Sequence, residues 1–343
     1  METFWFSVVA VMIAGYVVLD GYDLGAGAIH LLVARSDLER RAVLRTIGPV
    51  WDGNEVWLIV GGVVLFFAFP ALYASSFAGF YLPLMVVLWL FMLRGISIEF
   101  RGKIRNDVWQ PMFDVMFSGS SILLAVFFGA ALGNVVRGVP LDGSGNFFLA
   151  LWTDFRAGQN AGILDWYTVT IGVAALVVLA EHGALWVALR TEGVVRERAA
   201  LLAGRLWWAA AVLTAVITVF SFSVQPQLSV SFAARPWGYV FPVIALAGLG
   251  GMRMMAGETQ RFLASCVYLA GLLTSAAFGV YPYVLPSNGD PRLGLTVFNS
   301  AAPANGLITG LIWFIPGMIL ALLYVAYAHA KFSGKVRMED EGY

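Results

Sequence analysis

Three apolar runs limit what this chain can become: "FWFSVVAVMIAGYVVL" at 4–19, "WLIVGGVVLFFAFPALYA" at 57–74 and "YLPLMVVLWLFML" at 81–93. A helix needs roughly 20 mostly apolar residues to cross a bilayer. Inside lipid, backbone N–H and C=O groups must be satisfied within the segment, which makes helices the expected solution. Nine spans are predicted, near 4–33, 53–73, 77–99, 112–136, 163–189, 206–225, 238–256, 262–285 and 306–330. Composition agrees: 60% of the 343 residues are hydrophobic and 12% charged, against about 25% charged in globular chains. The chain reads as an all-α polytopic membrane protein, with 1–343 as a single integral-membrane domain. No basic stretch precedes the first run and no small-residue cleavage site follows it, so a retained helix is expected. Pro83 and Pro316 are expected to kink their spans, and the connections 137–162 and 285–305 have the composition of turn-rich loops. The lone Cys266 excludes an internal disulfide and reads as a packing residue. With a formal net charge of zero, bulk charge points to no partner, and no nucleic acid is expected.

Orientation follows from Lys and Arg. Seventeen of the 21 basic residues fall on one side: Arg35, Arg40, Arg41 and Arg45 in connection 34–51; Arg94, Arg101, Lys103 and Arg105 in 94–112; Arg190, Arg196, Arg198 and Arg205 in 190–205; then Arg253, Arg261, Lys331, Lys335 and Arg337. Only Arg137, Arg156, Arg235 and Arg292 fall on the other. The positive-inside rule then puts the N-terminus outside and the C-terminus in the cytoplasm.

Against this background the acids of "VVLDGYDLGAGAIH" stand out. Asp20 lies about 24 Å along its helix from Phe4, so Asp20 and Asp23 fall between the midplane and the cytoplasmic face. Spaced i and i+3, they project from nearly one side. Asp52 and Glu55 in "GPVWDGNEVWLI" begin the second span at the same face. Intramembrane carboxyls are rare and often mark proton or ion pathways. Each group also has an ordinary reading. Asp52, after Pro49 at a helix start, suits an N-cap. Asp20 and Asp23 suit a structural latch with Arg41 or Arg45. Gly21, Gly25 and Gly27 suit a close-packing helix surface, since "GYDLGAG" lacks the strand and lysine of a phosphate loop.

Three histidines, His30, His182 and His329, lie towards the cytoplasmic side, where interfacial roles are the usual ones. Two could ligate a haem axially, but they sit on different spans without repeated spacing. Glu181, beside His182 within the fifth span, suits either an arginine pair or a proton network. No role is assigned to Glu99.

"LDGYDLGAG", "RTIGPVWDGNEVWLI", "LRGISIEFRGK" and "GNVVRGVPLDG", with "YPYVLPS" and "LTVFNSAA" later, resemble subunit II of the cytochrome bd family of quinol oxidases. The likeness runs through nearly the whole chain. It thins near 220–260 and after Asn299, where "NSAAPANGLITG" replaces a Ser- and Thr-rich turn. It implies nine helices, arranged as two four-helix bundles and a peripheral helix. It implies a partner subunit I holding haems b and d and the quinol site, with a small single-helix accessory subunit as a further candidate and no cofactor on this chain alone. The complex would oxidise quinol and reduce dioxygen to water in the bacterial cytoplasmic membrane. The family's proposed proton route maps to Asp20, Asp23 and Asp52, with Glu55 where relatives carry Gln. Trp57 matches a tryptophan where oxygen enters from lipid, and also reads as an ordinary interfacial aromatic. The rival readings are a stand-alone proton-coupled transporter or channel, and a scaffold whose acids only cap and pair.

Overall fold

The computed structural model describes residues 1–332 and 334–336; Arg337, counted above with the basic residues, lies outside them. Twelve α-helices follow in chain order among the described residues. They are α1 (Glu2–Val33), α2 (Asp37–Ile47), α3 (Trp51–Ala68), α4 (Pro70–Gly79), α5 (Tyr81–Phe100), α6 (Trp109–Arg137), α7 (Trp166–Arg190), α8 (Gly193–Val224), α9 (Gln227–Ala234), α10 (Val240–Met254), α11 (Glu258–Val280) and α12 (Ala304–Lys331). A short antiparallel hairpin, β1 (Tyr283–Leu285) with β2 (Leu295–Thr296), lies between α11 and α12. Eight helices are long and apolar enough to cross a membrane, and the bent pair Gln227–Ala234 and Pro236–Met254 makes up to nine.

Proline explains most departures from the expected spans. The second span ends at Ala68 because Phe69 precedes Pro70, and a residue before proline is pushed out of the helical region. Pro70 then opens α4 at its first position, where a missing N–H costs nothing. Arg235 before Pro236 breaks the seventh span in the same way, and the two parts meet at 108°. Pro83 sits in the first turn of α5 rather than mid-span, among N–H groups that have no intrahelical partner, so it removes no helix bond. Pro316 stands inside α12, which runs on through it. Besides α9, which lies between the expected spans 206–225 and 238–256, two stretches expected as connections are helical. α2 starts with a capping box of Ser36 and Glu39 and buries Val43, Leu44 and Ile47. α8 begins at Gly193, putting Arg196, Arg198 and Arg205 on helix.

Two groups of four spans result. α1, α3, α5 and α6 pack together, as do α7, α8, α10 and α11. α6 and α1 join the groups, both packing on α7 and α1 also on α11, and α7 is the most enclosed span. α12 lies beside α3 with only 6% of its apolar window buried. At one end the basic connections meet: Arg198 reaches Glu39, Glu258 bridges Arg196 and Lys335, and the Val336 N–H donates to the Arg190 carbonyl. At the other end the 138–165 connection and the hairpin pack over Trp5, Val9 and Phe69, and Arg137 pairs with Asp165.

The join between the groups is made by backbone. A methyl on Gly25 would overlap the Leu179 carbonyl oxygen and stand 2.8 Å from Gly183 Cα, so α1 and α7 cross glycine on glycine. Gly27 meets Ser121 of α6, Gly21 meets Leu179, and Gly15 faces the Trp57 ring at 3.5 Å. Backbones approach this closely only where side chains are absent. Gly25→Ala is expected to destabilise the protein by about 3 kcal/mol or more, because the obstacle is backbone that cannot rotate away. Gly250→Ala, whose methyl would meet nothing within 4 Å, is expected to be tolerated. Thermal melts in detergent check the pair, and equal melting temperatures would contradict the crossing.

Candidate functional site

Arg94, expected in the connection 94–112, is instead inside α5 and fully buried. Its guanidinium meets Asp20 twice, Nη2 to Oδ1 at 2.7 Å and Nη1 to Oδ2 at 3.2 Å. The Tyr16 hydroxyl donates to the same carboxylate at 2.8 Å, from one turn earlier on α1. The Glu55 carboxyl of α3 is 3.9 Å from Arg94 Nη1, within ion-pair distance but too far for a hydrogen bond. This is the latch that sequence assigned to Arg41 or Arg45. Arg41 pairs with Asp37 instead, at 3.1 Å.

Asp23 is buried as completely as Asp20 but held differently. It accepts one hydrogen bond, from Asn54 Nδ2 at 2.8 Å, and its Oδ1 has no partner among the described residues. Asn54 Nδ2 also donates to the Tyr22 hydroxyl, at 2.6 Å. Two carboxyls, Asp20 and Glu55, therefore lie within ion-pair distance of one guanidinium, and Asp23 lies outside it. A buried charge is costly unless it is paired, and Arg94 gives its two hydrogen bonds to Asp20. Asp23 has no cation within ion-pair distance among the described residues.

Asp52 stands apart. It is exposed in the first turn of α3, where an acid complements the helix dipole. The cap position is Val50, so the capping reading of Asp52 fails. Trp57 is 9% exposed and packs on Met12 and Tyr16, which makes it an internal residue of the α1–α3 contact rather than an interfacial aromatic. Glu99 is exposed near the end of α5.

The histidines are not interfacial bystanders. His30 Nε2 is 2.8 Å from Asp114, a buried acid that sequence did not single out. Arg101 and Arg40 reach the same carboxylate at 2.5 and 3.0 Å, tying α1, α2 and α6 together at the basic end. His182 bridges Ser265 of α11 and the Val18 carbonyl of α1 at 2.7 and 3.0 Å. His329 contacts Tyr22 and the Val325 carbonyl. Each ring thus has protein partners, and the described residues contain no group of three or more His, Cys, Asp or Glu suited to a metal ion. Glu181 is buried without an ion pair among the described residues and lines a cavity of about 190 Å³ with Trp207, Arg253 and Arg261.

The family model described as cytochrome bd terminal oxidase subunit II matches residues 1–332. The chain belongs to that family. A similar protein from Haemophilus influenzae, "Probable cytochrome oxidase subunit 2", is 29% identical over 97% of this chain and 94% of its own length. "Cytochrome bd-I ubiquinol oxidase subunit 2" of Escherichia coli K12 is 28% identical over 98% and 95%. "Cytochrome bd ubiquinol oxidase subunit 2" of Bacillus subtilis is 35% identical over 60% of this chain and 58% of its own. The fold matches a chain of the bd oxidase structure from Geobacillus thermodenitrificans, with a TM-score of 0.70 at 18% identity over 96% of this chain and 98% of that one. A cytochrome bd subunit II is a multi-pass bacterial membrane protein and works with a subunit I in a haem-using quinol oxidase, an oxidoreductase.

Sequence reasoning missed Arg94, Asn54, Tyr22 and Asp114. The signal for Arg94 was present, because it directly continues the apolar run at 81–93. Removing one partner of a buried ion pair is expected to cost about 3–5 kcal/mol, whereas replacing both by apolar residues is often neutral. Arg94→Leu should therefore sharply reduce the yield of assembled complex, and Asp20→Leu combined with Arg94→Leu should restore much of it. Size-exclusion yield and thermal melts decide, and a double variant no better than the single would contradict the pairing.

Proposed function

We propose that this chain is the haem-free subunit of a bd-type terminal oxidase and carries protons from the cytoplasm towards the haem site of subunit I. In this reading the basic end faces the cytoplasm, the N-terminus lies outside, and the membrane is the bacterial cytoplasmic membrane. Haems b and d and the quinol site belong to the partner, which supplies the electron chemistry. Engagement of all three histidine rings by protein groups supports that division.

The observation that carries the proton reading is the excess of buried acid over buried base. Asp20 serves as counter-ion to Arg94 and fixes α1 to α5. Asp23, with one N–H donor, no cation and an unpartnered oxygen, is the group that takes and releases the proton. The negative charge of Glu55, partly exposed between Arg94 and the surface, and of Asp52, at the start of the same helix, draws protons to the basic end of the route. A pure latch would be complete with Asp20 and Arg94 and would leave the buried Asp23 without a task.

Asn keeps the shape of Asp but cannot carry the proton. Asp23→Asn is expected to leave assembly and haem spectra intact while slowing quinol-driven oxygen consumption and proton uptake about tenfold or more, roughly 1.4 kcal/mol in barrier. Asp20→Asn should instead impair assembly, because it leaves Arg94 without its charge partner. Wild-type rates in a spectrally intact Asp23→Asn complex would remove the proton role.

A further inference from the structure

Asp23 is connected to the basic end by three side chains of α12, α1 and α3. His329 lies in the last turn of α12, half-buried. Its Nδ1 is 2.9 Å from the Val325 carbonyl, which can only accept, so Nδ1 carries a hydrogen. In the neutral ring Nε2 is then an acceptor, and it lies 3.0 Å from the Tyr22 hydroxyl. Tyr22 is 1% exposed, stacked on Trp186 with ring centroids 4.2 Å apart and edged by Phe262, which fixes where its hydroxyl sits. That hydroxyl and Asp23 Oδ2 share one donor atom, Asn54 Nδ2, so the two oxygens lie within one water's span of each other. Beyond them is Asp23 Oδ1, the unpartnered buried oxygen.

We propose that His329 is the inlet for protons bound for Asp23, with the Tyr22 hydroxyl as the relay. The inference rests on the proton reading of Asp23 given above. Solvent at the basic end protonates Nε2. The imidazolium passes that proton to Tyr22 Oη while the tyrosine's own hydroxyl proton moves, through one water, to the Asp23 carboxylate. The products are a neutral imidazole, an intact phenol and a carboxylic acid, with no change of oxidation state. Rotation of the hydroxyl back towards Nε2 resets the relay. Asn54 does not conduct, because an amide N–H₂ donates to both oxygens and has no lone pair to accept with. It is a positioning residue that holds the relay and the acceptor together. Besides Asp23, the charged groups near the relay are Asp20 on α1 and Arg190 on α7, whose guanidinium lies 5.1 Å from the centre of the Trp186 ring.

The test uses the assembled complex with its haems. His329→Gln keeps a hydrogen-bonding side chain but cannot carry a proton, and Tyr22→Phe keeps the stacking but removes the relay. Each is expected to slow proton uptake and quinol-driven oxygen consumption about tenfold or more, with haem spectra unchanged. The double variant should be no slower than the slower single, because both act on one series path. Slowing that multiplies in the double variant would indicate independent structural damage and overturn the relay. Wild-type uptake in either single variant beside a slow Asp23→Asn complex would overturn the inlet while leaving the Asp23 reading intact. Wild-type uptake in all three would overturn both. Should His329→Gln fail to assemble, Tyr22→Phe decides alone, and wild-type uptake there is the overturning result.

Discussion

The Arg94–Asp20 ion pair is the interaction on which the rest of the first bundle depends. A guanidinium fully removed from water is tolerable only with a carboxylate in hydrogen-bonding register, and Asp20 meets it through both oxygens. That requirement fixes the rotation of α1 against α5. Once α1 is set, Tyr16 falls on the same carboxylate, and Tyr22 and Asp23 turn towards Asn54 of α3. The arrangement of the remaining acids follows from a pairing that stabilises the bundle. The same pairing uses up the available positive charge, which leaves Asp23 a buried acid without a counter-charge. Structure and proposed chemistry thus meet at one guanidinium.

A second ionic knot at Asp114 does for the basic end what Arg94 does for the interior. His30, Arg40 and Arg101 converge on one buried carboxylate and bring α1, α2 and α6 to a common point. The sites differ in the balance of charge. At Asp114 two arginines and a histidine meet the carboxylate, Asp37 shares Arg101, and both Asp114 oxygens are engaged. Around Arg94 acids outnumber the cation, and one carboxylate oxygen is free. In the proton reading proposed above, that unpartnered oxygen of Asp23 is what separates the second arrangement from the first.

Much of the architecture was legible in the sequence because bilayer thickness sets helix length, and counting apolar residues measures that length directly. The eight long spans, the resemblance carried by "GPVWDGNEVW" and the acids on the first two spans were all within reach. What counting does not register is rotational phase. Arg94 at the end of an apolar run looked like the first residue of a basic connection, although its side chain points into the bundle. Asp114 and His30 on separate helices gave no sequence spacing that would pair them. The break at Phe69 was signalled by the proline that follows, but continuous hydropathy hid it, and α9 fell in the stretch between the sixth and seventh spans, expected as a connection. α2 was missed for the opposite reason, being too polar and short to register as a span despite its capping box.

The glycine crossing of α1 and α7 has a consequence for how this protein can vary. In an ordinary core contact a larger side chain on one helix can be accommodated by a smaller one opposite, so the two positions drift together. Gly25 and Gly183 have no such freedom, because neither has a side chain left to shrink. Any substitution at one must be met by moving a whole helix, and moving α1 displaces both Asp20 and Asp23 from their partners. The crossing therefore leaves no side-chain route to compensation, and a change at either glycine has to be met by shifting a helix.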